Sequence, residues 1–426
     1  MAGWWRRVTG RVVRDTAVAA LAVLAVAASG IVSPRAHAAD EGFARFLDGL
    51  WPDAKAAGVS RAVFDTAFAG LQPDMTLPDL VRPGQPDKAD SRGQAEFTRA
   101  PADYLDRTYL GRLAETGRVL AAKHASALAK IERDIGVDRY SLLAIWGRET
   151  AYGTYKLPHD AIRVLATEAW MGRRKDMFRL EIIAALRMLQ AGVARADMRS
   201  SWAGAVGMTQ FMPTEYFVHA ADGDGDGKID IFRSVPDALA SAAKQLKGKG
   251  WVAGQRWGYE VIVPKGSDCS LEGPTQARTI REWAKLGFVR AGKGAWPEAQ
   301  LGVEAYLMMP AGGYGPAFLA LENFKVIRRY NTSDLYAVFV GHLADRIAGG
   351  GDFVGPWGGT GAQKTSTIEE IQKRLSKLGA NVEKIDGKIG SNTRMVIGGY
   401  QRQAGLKVDC WPSDALLTHL RTVAQK

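Results

Sequence analysis

The segment IWGRETAYG, residues 145 to 153, sets one carboxylate, Glu149, among apolar and small residues. It closes the stretch DRYSLLAIWGRE, in which Leu142, Ile145, Trp146 and Glu149 recur at i, i+3, i+4 and i+7, the spacing of one helix face, with Asp138 as N-cap. A carboxyl on an inward face loses hydration, so its pKa rises and it can hold a proton near neutral pH, as a general acid must. Glycoside cleavage needs such a group: an acid protonates the leaving oxygen while positive charge develops on the sugar ring. Periodicity alone leaves a second reading open, a Glu at a frayed helix end that turns to water before Gly153 or pairs with Arg148.

Two further stretches carry chemistry. SWAGAVGMTQFMPTEY (Ser201 to Tyr216) packs Ala203, Gly204, Ala205 and Gly207 ahead of Gln210 and Pro213. Small residues let a ligand or another chain approach the backbone closely, and Gln210 both donates and accepts hydrogen bonds, which suits sugar hydroxyls and acetamido groups. A tight helix–helix contact would read the same way. DGDGDGKID sets Asp222, Asp224 and Asp226 at alternate positions before Gly227 and Lys228, the pattern of an EF-hand-type calcium loop in which Lys228 offers its carbonyl. A solvated acidic turn is the alternative. The twelfth position holds Arg233 where a bidentate Glu is usual.

RETAYG and SWAGAVGMTQFMPTEY together closely resemble the membrane-bound lytic murein transglycosylase B family, exported enzymes that cut peptidoglycan glycan strands. The resemblance continues through DGDGDGKIDIF, KGKGW and FKVIRRYNTSDLYAVFVGHLADRI, from about Phe43 to Ala348. It implies a mainly α, lysozyme-like fold with minor β structure and Glu149 as the sole catalytic acid/base. It further implies that Ser201, Gln210, Tyr330, Asn331 and Tyr336 contact the glycan. Aromatic rings with polar tips suit sugar faces, although Tyr330 and Tyr336 read equally well as core residues. The expected reaction cleaves the bond between N-acetylmuramic acid and N-acetylglucosamine to leave a 1,6-anhydromuramoyl end. A hydrolytic muramidase and a non-catalytic wall-binding scaffold are the rivals. No cofactor is expected for the chemistry. In the resembling family the calcium loop closes later than its twelfth position, which makes Asp237 of SVPDA the candidate ligand beside Asp222, Asp224, Asp226 and Lys228, with Asp230 as a possible contributor.

The elements that must position these residues are mostly helical. DMFRLEIIAALRMLQAG, VPDALASAAKQLKGKG and LYAVFVGHLADRIAGG read as helices that each end at Gly, and YEVIVP (Tyr259 to Pro264) is one of few strand-like runs. PDMTLPDLVRPGQPDKADSRG reads as an extended surface loop. Ahead of them, MAGWWRRVTGRVVR is cationic, Thr16 to Val32 is apolar, and small residues stand at Ala36 and Ala38, which predicts a secretory signal over residues 1–38; an uncleaved anchor is the competing view. The catalytic domain is then 39–348 and the product exported to the periplasm, soluble and monomeric, with no membrane association expected after cleavage.

Between 349 and 361, GGGDFVGPWGGTG has seven glycines and reads as a flexible linker, extending to 364. Beyond it, residues 365–426 read as a small separate helical module, opened by a capping box of Ser366 and Glu369 with an apolar stripe of Ile368, Ile371, Leu375 and Leu378. This module resembles the peptidoglycan-binding domain of wall enzymes at Asp386-Gly387, Gly390, Thr393 and Tyr400-Gln401, and departs from it after Asp409, where CWPSDALL replaces the usual Gly-rich turn. Cys269 and Cys410 lie far apart and fall in different expected domains, so they are expected as buried, unpaired thiols. The signal's five arginines against Asp15 take +4 of the formal +11, leaving +7 on the mature chain. Without a basic stripe interleaved with aromatics, that charge suits an acidic polymer or plain solvation and gives no case for nucleic acid.

Overall fold

A computed structural model of the chain describes residues 34–82, 95–292 and 294–423. The apolar run Thr16 to Val32, and the expected signal up to residue 33 with it, lies outside the described residues, as does the second half of the Pro-rich loop.

Asp138 caps the helix Arg139–Thr150, its carboxylate accepting the Tyr140 and Ser141 N–H groups at 2.9 and 3.0 Å. Every residue from Ser141 to Gly147 is buried. A helix apolar on all sides is the rod at the centre of a domain rather than a surface helix, so the inward stripe read from the sequence widens into complete enclosure. Four helices surround it: Arg107–Lys123, Ala125–Ile135, Val235–Gly248 and Asp334–Ile347. Ala161–Met171 and Lys175–Gln190 pack as a pair beside them. The helices Lys175–Gln190, Val235–Gly248 and Asp334–Ile347 stop where expected, each followed within two residues by a glycine in the left-handed region: Gly192 (φ 94°), Gly250 (φ 98°) and Gly349 (φ 93°).

The minor β structure is a five-stranded antiparallel sheet, ordered Arg278–Thr279, Glu304–Met308, Ala317–Ala320, Gly258–Ile262, Val289–Arg290, with Tyr259 opposite Leu319 and Leu307 opposite Leu319 on its other side. Its central strands are buried on both faces. Tyr306, Met308, Phe318 and Ala320 join the helical core, while Ala305, Leu307, Ala317 and Leu319 join a second core with Trp283 and Phe288. A second, two-stranded pair, His159–Asp160 with Arg199–Ser200, leads into the SWAGAVG segment.

The last third of the chain departs from the sequence reading in four respects. Within 349–361, residues 353–357 are anchored to the catalytic domain while the flanking glycines Gly349 to Gly351 are exposed. Phe353 stacks on His342 with centroids 3.7 Å apart, Trp357 lies against the helical core, and Glu260 accepts the Val354 and Gly355 N–H groups at 2.9 and 2.6 Å. Glycine content drew the linker reading, but the two aromatic residues decide the outcome because burying them outweighs the chain entropy they lose. Second, the helix Thr365–Lys377 opens at Thr365 with Lys364 as an N-cap that makes no side-chain cap, so the Ser366–Glu369 capping box does not form. Thr365 instead packs on Gly387, where a Cβ would lie 2.3 Å from Thr365 Cγ2.

Third, the module is not separate. Its helices Thr365–Lys377, Ser391–Gln403 and Asp414–Val423 enclose a small core of their own around Ile371, Leu375, Ile397 and Leu420. Yet Arg394 forms fully buried ion pairs with Glu272 and Asp334 of the preceding domain. Fourth, Cys269 and Cys410 are disulfide-bonded, with Cα atoms 6.1 Å apart, correcting the expectation of free thiols. A separation of 141 residues in sequence is closed because the turn Cys269–Leu271 docks against the helix Ser391–Gln403, which no local pattern signals.

Candidate active site

Glu149 stands at the abrupt end of the central helix. Ala151, Tyr152 and Gly153 follow in the left-handed region, with φ of 47°, 58° and 78°. Two non-glycine residues there cost about 1 kcal/mol or more each. Local bonds offset this: Thr150 Oγ1 donates to Met208 O at 2.7 Å and accepts the Gly153 N–H at 3.1 Å, and Tyr152 OH donates to Leu113 O at 3.0 Å. The helix therefore stops with Glu149 on the wall of a cavity rather than on open surface.

That cavity holds about 840 Å³. The buried Tyr336 donates its hydroxyl to Glu149 Oε1. Burial pushes the Glu149 carboxyl up from the ordinary range, against the Tyr336 hydrogen bond and the Arg148 charge that pull it down, and Glu96 adds to the rise. Arg148 does not take the pairing role considered for it. Its guanidinium donates to Tyr104 OH at 3.0 and 2.8 Å and lies 5.2, 5.8 and 5.3 Å from the rings of Tyr104, Tyr336 and Phe339. Held among three rings, it braces Tyr336 from behind and leaves the carboxyl free to exchange a proton.

Ser201, Gln210, Tyr330, Asn331 and Tyr336 all line the same cavity as Glu149. Tyr336 is fully buried and Tyr330 partly so, Tyr330 donating its hydroxyl to Thr209 O. The Ser201–Gln210 loop is shaped by its small residues. Gly204 sits at φ 84°, where a Cβ would lie 2.2 Å from Leu165 Cδ2, and Gly207 at φ 76° presses on Ile231. Gln210 itself holds φ 58°, with Nε2 donating to Gly207 O at 3.0 Å.

In the acidic loop, Asp222, Asp224 and Asp237 each bring an oxygen within 4.8 Å of the others. Such spacing matches the separation of ligands around a hard cation with oxygen contacts of about 2.3–2.6 Å. Asp226 stands outside this group and accepts the Lys228 N–H at 2.8 Å. Asp237 reaches the loop from the helix Val235–Gly248, accepting the Gly223 and Asp230 N–H groups at 2.8 Å each, which makes it the strut between loop and helix.

Several cavity residues escape the sequence reading. Glu96 and Phe97 come from the short helix Ala95–Thr98, and Tyr155, 58% exposed, flanks Glu149 three residues past Tyr152. A second tyrosine so soon after Tyr152 was a visible signal, since an exposed ring beside a carboxylate suits a sugar face. Thr365, Asp386, Gly387 and Lys388 of the C-terminal module form the opposite wall, with Lys388 Nζ 4.1 Å above the Phe97 ring. Nothing in a motif for a tethered module indicates that it would face the cavity.

The Transglycosylase SLT domain family matches residues 42–345 and the peptidoglycan binding domain family residues 364–420. Membrane-bound lytic murein transglycosylase B of Escherichia coli (strain K12) is 30% identical over 239 residues, 55% of this chain and 63% of that protein, so the chain spans a little under two thirds of this curated relative. SltB3 from Pseudomonas aeruginosa, solved in complex with NAG-anhNAM-pentapeptide, is 40% identical, with a TM-score of 0.79 over 89% of this chain and 99% of that one. Soluble lytic transglycosylase SltB1 from the same organism is 26% identical, with a TM-score of 0.57 over 72% and 98%. With a match spanning most of the chain and the site built on the same stretch, the chain belongs to the Transglycosylase SLT domain family, joined to a peptidoglycan-binding domain.

Proposed function

We propose that the chain is an exported lytic transglycosylase that cleaves peptidoglycan between N-acetylmuramic acid and N-acetylglucosamine, leaving 1,6-anhydromuramoyl ends, with Glu149 as acid and base. The observation that carries this reading is the Glu149 carboxyl, raised in pKa by burial and oriented by Tyr336 on the wall of an 840 Å³ cleft. Membership of the family and the likeness to SltB3, captured with NAG-anhNAM-pentapeptide and with NAG-NAM-pentapeptide, support it.

Protonated Glu149 gives its proton to the glycosidic oxygen as the bond to the muramoyl C1 breaks. The 2-acetamido oxygen closes on C1 and takes the place of a second carboxylate. The Glu149 carboxylate then accepts the proton of the muramoyl 6-hydroxyl as that oxygen bonds C1 and the acetamido group leaves. Glu149 ends protonated and no water is consumed. Tyr336 fixes the carboxyl through both steps, and Ser201, Gln210, Tyr330 and Asn331 hold the sugars. Calcium at Asp222, Asp224 and Asp237 is structural, fixing the chain just beyond the Gln210 segment and supplying no chemistry. The mature protein works as a monomer in the periplasm.

Glu96 favours a second reading, hydrolysis, because it shares the cleft and lies close enough to Glu149 to raise its pKa. Incubation with purified sacculi and mass spectrometry of the released muropeptides separates the two. Anhydromuropeptides are expected, and reducing ends alone would overturn the transglycosylase reading in favour of water attack.

A further inference from the structure

The buried link between the two domains lies next to the site. Arg394, on the module helix Ser391–Gln403, is 1% exposed, and Glu272, its partner in the catalytic domain, is wholly buried. Arg394 Nη2 lies 2.5 Å from Glu272 Oε1 and 2.9 Å from Asp334 Oδ2, while Nε lies 3.0 Å from Glu272 Oε2. Ser391 Oγ donates to the same Asp334 oxygen at 2.9 Å. The other Asp334 oxygen lies 2.8 Å from Arg328 Nε.

Asp334 opens the helix Asp334–Ile347, and two residues on stands Tyr336, whose hydroxyl holds Glu149. Arg328 belongs to the helix Glu322–Tyr330, which ends at Tyr330. Both helices that deliver cleft tyrosines are thus tied to one carboxylate, and that carboxylate is gripped from the module.

We propose that Arg394 is a positioning residue for the catalytic site: by holding Asp334 it fixes the first turn of the helix Asp334–Ile347, and with it the Tyr336 hydroxyl on Glu149. The peptidoglycan-binding module is on this account a structural part of the catalytic unit and not only a means of attachment. The inference rests on Glu149 being the acid.

The test compares Arg394→Met, Arg394→Lys and the double variant Arg394→Met/Glu272→Gln, which relieves the carboxylate left unpaired, in the full chain. Thermal melting and circular dichroism check folding. Turnover is followed on soluble, uncrosslinked glycan strands across pH. Loosening the positioning of Tyr336 lowers kcat about tenfold to a hundredfold with a smaller change in KM, because Ser201 and Gln210 sit on a loop that Asp334 does not hold. It also moves the alkaline limb of kcat to higher pH, since the Tyr336 hydrogen bond favours the ionised carboxyl. Among the other groups facing Glu149, Arg148, Glu96 and Tyr104 lie on elements that Asp334 does not hold and set the rest of the profile, while Tyr330 ends the helix tied to Asp334 through Arg328. Around Asp334 the remaining charges and hydroxyls are Arg328, Glu272 and Tyr306. Binding of each variant to sacculi stays at the wild-type level.

A folded variant with the kcat and pH limb of wild type overturns the inference. Should the methionine variants not fold, Arg394→Lys decides the matter: one ammonium cannot span Glu272 and Asp334 as the guanidinium fork does, so kcat falls and the limb moves, or the inference fails. A Glu149→Gln protein that releases anhydromuropeptides normally would instead refute the reading of the site itself.

Discussion

Glu149→Gln separates what the carboxyl does for chemistry from what it costs the fold. Glutamine keeps the shape and can still accept the Tyr336 hydrogen bond, but it neither gives nor takes a proton. A general acid or base contributes about 10²–10⁴-fold, or about 3–5 kcal/mol of barrier. Because Glu149 acts first as acid and then as base, the loss belongs at the upper end, about 10³-fold or more in the release of anhydromuropeptides from sacculi. Stability moves the other way. Burial raises the folded pKa above its ordinary value, so the group's contribution is complete below the unfolded pKa and is lost as pH rises through the folded one. Above that point the folded protein carries an ionised carboxylate in a poorly solvated wall, which the amide removes. The variant should therefore melt above wild type at pH 7 to 8, with the gap closing below about pH 4. Scanning fluorimetry across pH, beside muropeptide release, measures both. A variant within tenfold of wild-type activity, or one that melts lower than wild type at pH 8, would refute the reasoning.

Calcium should raise the melting temperature and EDTA lower it; at a hundredfold excess over Kd the gain is about 2.7 kcal/mol, and Asp222→Asn or Asp237→Asn should abolish the response, as read by calorimetry. Replacing Cys269 and Cys410 by serine removes a link closing some 140 residues, worth about 5 kcal/mol by chain entropy alone and less where the interdomain ion pairs persist, so a denaturant midpoint unchanged from wild type would contradict the bonded state. Gly204→Ala needs a left-handed alanine with its Cβ 2.2 Å from Leu165 Cδ2, and should cost about 2 kcal/mol or more while weakening glycan binding through the displaced Ser201 loop, measurable as a rise in KM.

Some of this was legible because it is local. An apolar stripe ending in Glu149, an Asp N-cap four residues before Leu142 and glycines placed to stop helices each follow from backbone geometry within a few turns and stand in the structure, whereas of the alternating aspartates Asp222 and Asp224 gather with Asp237 and Asp226 stands outside the group. The resemblance carried by RETAYG and the SWAGAVG segment named cleft residues more than a hundred positions apart, which no periodicity could do, and the fold gathers all of them around one cavity.

Tertiary structure decided the rest. Whether Arg148 would neutralise Glu149 depended on three rings, from Tyr104, Tyr336 and Phe339, that meet it only after folding. A run rich in glycine looks free until Phe353 finds His342. The pairing of Cys269 with Cys410 and of Arg394 with Glu272 and Asp334 exists because two surfaces, each unremarkable in sequence, exclude water from one another. Sequence by itself determined which groups could do the chemistry, since that follows from residue type and short-range spacing. The fold alone decided what surrounds them, because burial, and the pKa and rigidity that come with it, is a property of contacts between segments distant in the chain.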